Sequence, residues 1–131
     1  PYWHATYWNN TSLSGAPVHR QTVDRIDHNW GYGAPHPAVA VDRFSARWTR
    51  IVDLPAGAYR FTATGDDGIR VYVNGRAIID EWQVQSAQTF TVEYTLPAGH
   101  HQFIVEYFEQ TGVAVARFSW SPVTPAPHRS T

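Results

Sequence analysis

The chain has 131 residues, a net charge of −1 at neutral pH and 43% hydrophobic residues, which suits one domain with an ordinary buried core. All 10 cationic residues are arginine and they form no run, so neither nucleic acid nor anionic lipid is expected as a partner. Cysteine is absent, which excludes disulfides and thiolate zinc sites; methionine is absent too, so the chain is expected to be a piece of a longer protein.

No apolar run reaches membrane-spanning length, so membrane insertion is not expected. In chain order, "NNTSLSGAPVHRQTVDRIDHNWGYGAPHPAVAVDRFSARW" is rich in Gly, Pro, Asn and Ser, yet it holds Trp30, Tyr32 and Trp48. Long ordered loops pinned by aromatic side chains are expected there. "NNTS" also carries two overlapping glycosylation sequons, at Asn9 and Asn10.

From Arg60 onward the pattern is β. "RFTA" alternates, and "IRVYV" places Ile69, Val71 and Val73 on one face. Asn74-Gly75 then separates it from "AIID", the strongest short signal for a hairpin, because both central residues of a type I′ turn need positive φ. "TFTVEYTL" sets Phe90, Val92, Tyr94 and Leu96 against polar neighbours, "QFIVEYF" aligns Phe103, Val105 and Tyr107, and "AVARFSW" aligns Ala114, Ala116, Phe118 and Trp120. "LPAG" at Leu54–Gly57 and again at Leu96–Gly99 reads as one turn used twice. Period-two alternation with these turns predicts an all-β, antiparallel sandwich or barrel over 1–121. Phe61, Val71, Val92, Val105 and Phe118 are its expected core. "SPVTPAPHRST" has the composition of a linker, so 122–131 is expected to be a tail.

"TATGDDGIRVYVNG" sets two adjacent aspartates between glycines. On a regular strand Asp66 and Asp67 would point to opposite faces. The plainest reading is a polar turn with both carboxylates in water. Other chemistry is hard to find. The seven histidines, at positions 4, 19, 28, 36, 100, 101 and 128, make no ligand pair on a plausible helix, so zinc is not expected. There is no "GxSxG" elbow and no cysteine nucleophile, and Asp80-Glu81 reads as a solvated edge, so no catalysis is expected. Trp82, beside a loop after "IIDE", is a candidate for stacking on a sugar.

The ordered set "YWNNTSLSGAPVHRQTVDRIDHNWGYGAP", "DRFSARWTR", "LPAGAYRFTATGDDGIRVYVNGRAIIDEW" and "LPAGHHQFIVEYFEQTGVAVARFSW" resembles the protective-antigen (PA-fourteen) domain family from Tyr7 to Trp120. The resemblance implies a β-sandwich or barrel of the kind found in toxins, glycosidases and adhesins. In lectin members of that family an aspartate pair joined by a cis peptide holds calcium, and the calcium holds sugar hydroxyls. By resemblance the pair here is Asp66 and Asp67, and the second loop is "EQTG", with Glu109, Gln110 and the Thr111 carbonyl as further calcium ligands. Glu109 stands about where the yeast adhesins carry an asparagine. The expected cofactor is Ca2+, and the expected partners are cell-surface or polysaccharide glycans, met outside the cell, together with neighbouring domains of a longer chain. Asp66, Asp67, Gln110 and Trp82 are the expected carbohydrate contacts. The other function open to such a fold is a structural or protein-interaction spacer with no sugar ligand. Glycines on either side of the pair are expected to supply backbone freedom.

Overall fold

Apolar and polar side chains alternate along ten strands, all paired antiparallel, in residues 2–123, the part of the chain that this computed structural model describes. They are β1 (Trp3–Trp8), β2 (His19–Val23), β3 (Ile26–Gly31), β4 (Phe44–Leu54), β5 (Gly57–Asp66), β6 (Gly68–Val73), β7 (Arg76–Glu81), β8 (Gln88–Leu96), β9 (Gly99–Glu109) and β10 (Ala114–Pro122). One sheet has six strands in the order β2-β1-β4-β9-β6-β7, the other four in the order β3-β10-β5-β8. They pack as a sandwich around a single core.

Each inner face is set by the alternation. In the six-stranded sheet Trp48 lies opposite Val105, and Val105 opposite Val71. In the four-stranded sheet Phe118 lies opposite Ala63, and Ala63 opposite Phe90. Between the sheets the Phe103 ring meets Trp120 at 5.0 Å, Phe61 at 5.6 Å and Phe118 at 6.3 Å, each edge-on, as ring quadrupoles favour. Phe61, Val71, Val105 and Phe118 are buried as expected. Val92 is only half-buried, because β8 is an edge strand with one neighbour and its inner face opens to solvent.

The amino-terminal third is more regular than its composition suggests. Besides ordered loops it contains β2 and β3, and β1 precedes them with Trp3, Ala5 and Tyr7 buried. Trp48 is in the core, and Trp30 lies parallel to it at 6.5 Å, with the His28 ring parallel to both. Both sequon asparagines have structural work. The Asn9 side-chain oxygen accepts from the Ala40 N–H at 2.8 Å, and the Asn10 oxygen accepts from the N–H groups of Ser12 and Ser14, both at 3.2 Å.

The hairpin is as expected, with φ of 51° at Asn74 and 82° at Gly75. Each "LPAG" joins two strands, β4 to β5 and β8 to β9. At the carboxyl end β10 runs through Pro122, and the Val123 N–H donates to the Ala58 carbonyl. The rest of the expected tail, 124–131, lies outside the described residues.

The register brings several strand ends together. Asp66 pairs with Val115, Gly68 with Phe108, Phe44 with Glu109, Gly31 with Ala114 and Ile69 with Glu81. Loops 82–87 and 110–113 therefore meet Asp67 at one end of the sandwich, and loop 32–43 bonds the 110–113 loop there.

Truncating the most central ring tests the core assignment. Phe103→Ala should lower the unfolding free energy by about 3–5 kcal/mol in urea titrations, whereas Val92→Ala, on the open edge, should cost under about 1.5 kcal/mol.

Candidate functional site

The chain changes sheets at the aspartate pair. β5 ends at Asp66 and β6 begins at Gly68, so Asp67 alone spans the gap. The Asp66–Asp67 peptide bond is cis. The flanking glycines serve a different purpose from the one expected. Neither has a positive φ; both are there for space. A Cβ on Gly68 would sit 2.3 Å from the Phe108 ring, and one on Gly65 would sit 2.8 Å from the Ile69 side chain. Only glycine lets β5 approach β6, and β6 approach β9, this closely.

Asp67 is buried and held from three directions. Its N–H donates to the Phe108 carbonyl at 3.1 Å. One carboxylate oxygen accepts from the Gln110 N–H at 2.7 Å, the other from the Gln85 N–H at 3.1 Å. The Gln85 amide also donates to the Asp67 carbonyl at 2.9 Å. The Tyr107 hydroxyl donates to the Asp66 carbonyl, and burial, followed by the charges of Glu109, Asp66 and Asp67, raises its pKa so that it stays protonated.

Glu109 completes the cluster. One oxygen from each of Asp66, Asp67 and Glu109 lies within 4.8 Å of the others. Glu109 is fully buried and neither of its oxygens has a hydrogen-bond donor. A proton or a cation is what can satisfy such a carboxylate. Burial pushes the Glu109 carboxyl up from 4.5 to about 9, and the negative charges of Asp67, Asp66 and Asp42 push it the same way. Asp66 is raised as well, first by burial and then by the Asp67 charge. Three carboxylates with no nitrogen or sulfur among them are an oxygen donor set suited to a hard cation.

The other expected residues are placed as follows. Gln110 reaches the cluster through its main-chain N–H, and its carbonyl is occupied by the Arg43 N–H at 3.0 Å. Thr111 is exposed on the same loop. Trp82 is not brought into the cluster. Its ring packs against Phe108 at 4.8 Å and carries the Arg70 guanidinium at 3.8 Å, on the outer face of the six-stranded sheet. Two residues went unread in the sequence. Asp42 accepts from the Gly112 N–H at 3.2 Å, bracing the 110–113 loop, and Gln85 holds Asp67. Both lie in polar loops far along the chain from their partners, with no local pattern to mark them.

With fold and site in view, comparison with known proteins shows that the chain belongs to the PA14 domain family, whose model matches residues 2–128. It is similar to the anti-sigma-I factor RsgI3 of Acetivibrio thermocellus, 35% identical over 118 residues, covering 88% of this chain but only 18% of that protein. A solved anti-sigma factor domain-containing protein superimposes with a TM-score of 0.85 at 32% identity, over 92% of this chain and 42% of its own. The PA14 sugar-binding domain from an RTX adhesin superimposes with a TM-score of 0.80 at 20% identity, over 92% of this chain and 89% of that one, a likeness of fold.

Two measurements probe the site without any ligand. A carboxyl whose pKa is higher folded than unfolded favours folding below its unfolded value, and that contribution is lost as pH rises through the folded value. In chelator, stability should therefore decline between about pH 4.5 and pH 9 on account of Glu109, and Glu109→Gln should remove that slope. Urea midpoints of both proteins at pH 5, 7 and 9 check it, with the variant gaining on the parent as pH rises. Gly68→Ala, which must displace the Phe108 ring, should cost about 1–3 kcal/mol at any of these pH values.

Proposed function

We propose that this domain is a non-catalytic, calcium-dependent carbohydrate-binding module of a larger extracellular or surface protein. The observation that carries the reading is Glu109: a buried, unpartnered carboxylate facing two others. Such a group destabilises the fold unless a proton or a cation offsets it, and taking up the proton itself costs stability as pH rises. Calcium suits the site because it takes six to eight oxygens in loose geometry and accepts hydroxyls in place of water. Asp66, Asp67 and Glu109 would hold the ion. The Thr111 carbonyl and the Gln110 side chain, on the adjoining loop, are the groups available to extend its shell. Vicinal hydroxyls of a sugar would complete it.

Support from relatives is of two kinds. The RTX adhesin domain that shares this fold is described as sugar-binding. The chain spans a minor part of the anti-sigma factor proteins it resembles, which fits a ligand-collecting module whose consequences are carried out by neighbouring domains. A calcium–diol contact buries little surface, so single-site affinity should be weak and multivalent display should supply the strength.

The test is a thermal melt and a glycan array, each in calcium and in chelator. Calcium at about 100 times its Kd should add ~2.7 kcal/mol and raise the melting temperature by about 10 °C. Asp67→Ala should keep the β fold and lose both the shift and the glycan signal. Glycan binding by that variant in excess chelator, or no calcium shift in the parent, would leave a spacer or protein-interaction domain as the function.

A further inference from the structure

Most large hydrophobic side chains of the described residues are inside; Tyr2, Val18 and Ile51 are exposed elsewhere on the sandwich, and three more form a group of their own, Tyr32 at 77% exposed, Val84 at 67% and Val41 at 51%. Each belongs to a loop that reaches the acidic cluster. Val84 precedes Gln85, which binds Asp67 through both its main chain and its amide. Val41 precedes Asp42, which bonds Gly112 and adds its charge to Glu109. Tyr32 follows Gly31, which pairs with Ala114 just beyond the 110–113 loop.

Tyr32 is also rigidly presented. The Gly33 N–H donates to the Trp30 carbonyl at 2.9 Å, closing a tight turn with Gly31 at a φ of 59°. Beneath that turn Trp30 is clamped against Phe44 at 5.8 Å and Tyr107 at 5.9 Å, and the Tyr107 hydroxyl bonds the Asp66 carbonyl. One side chain therefore links the base of the Tyr32 turn to the aspartate pair. An exposed aromatic ring on a fixed base loses little conformational freedom when a ligand covers it.

We propose that Tyr32, together with Val41 and Val84 on the loops that reach the same cluster, forms the apolar wall of the binding site and selects a neutral sugar ring. Such a ring offers two adjacent hydroxyls to the cation and a C–H face to the phenol. The proposal rests on the calcium–carbohydrate reading above and adds the residue that chooses among sugars. Charge sets the other half of the selection. Three carboxylates around a divalent ion leave one negative charge, and Asp42 adds a second. Uronic acids and sulfated sugars would be repelled.

The experiment uses the full chain on an array of neutral, uronic and sulfated glycans, with the calcium melt run in parallel on every variant. Tyr32→Ala should keep the parent's calcium shift and lose roughly tenfold or more in binding to neutral glycans. Tyr32→Phe should restore binding, which separates ring stacking from the hydroxyl, and Val41→Ala should weaken binding to a smaller extent. Undiminished glycan binding by Tyr32→Ala, or a parent that binds only uronic or sulfated glycans, would overturn the proposal while leaving the calcium reading intact. A parent with no calcium shift, or with glycan binding that survives chelator, would overturn the calcium reading and this proposal with it.

Discussion

The passage of the chain from one sheet to the other through a single residue is the constraint on which the rest of the site depends. Because β5 ends at Asp66 and β6 starts at Gly68, Asp67 has no loop in which to relax. It must be fastened where it lies, and its main-chain and side-chain bonds to Phe108, Gln85 and Gln110 do so. Gly65 and Gly68 then follow as steric necessities, since any side chain there would push β6 off its neighbours. The same closeness sets the carboxylates of Asp66 and Asp67 against the end of β9, where Glu109 waits with no donor.

β9 carries a comparison within itself. Glu106 and Glu109 are three residues apart on a strand of period two, so they face opposite sides. Glu106, on the outer face, is buried between Arg47 and Arg70, each at 2.7 Å, and those guanidinium groups stack in turn on Trp8 and Trp82. It is a carboxylate whose burial is fully compensated. Glu109, on the inner face, has three acidic neighbours and no cation among the described side chains bonded to it. Two acids on one strand with opposite treatment argue that the second environment is selected for something other than folding.

Much of this was legible from the alternation. Phe103, Val105 and Tyr107 mark the inner face of β9, and Glu109 continues that phase, so its burial was written in the sequence beside the aromatic residues. Asn74-Gly75 gave its turn because two positive φ values admit few residue pairs. The aspartate pair stood out locally as two like charges between glycines, but its reading as a cation site came from a family resemblance. What could not be read were interactions decided by tertiary proximity. Asp42 meets Gly112 across 70 positions, and β2, an edge strand with alternately half-buried and exposed residues, lacks a clean apolar face. The glycines misled for a related reason: a glycine needed for space and one needed for an unusual φ look identical in sequence.

A shared fold at 20% identity transmits the scaffold and leaves the site to be argued residue by residue. Here the scaffold contributes stiffness, with the aromatic stack of His28, Trp30 and Trp48 lying under the loop that presents Tyr32 and in line with the tyrosine that fixes Asp66. The site contributes an energetic fault, a buried acid that weakens the empty domain. On the function proposed here the two are complementary. A cation that cures the fault draws its affinity from the strain it removes, and a stiff frame ensures that this relief is spent on binding, not on letting the loops collapse around Glu109.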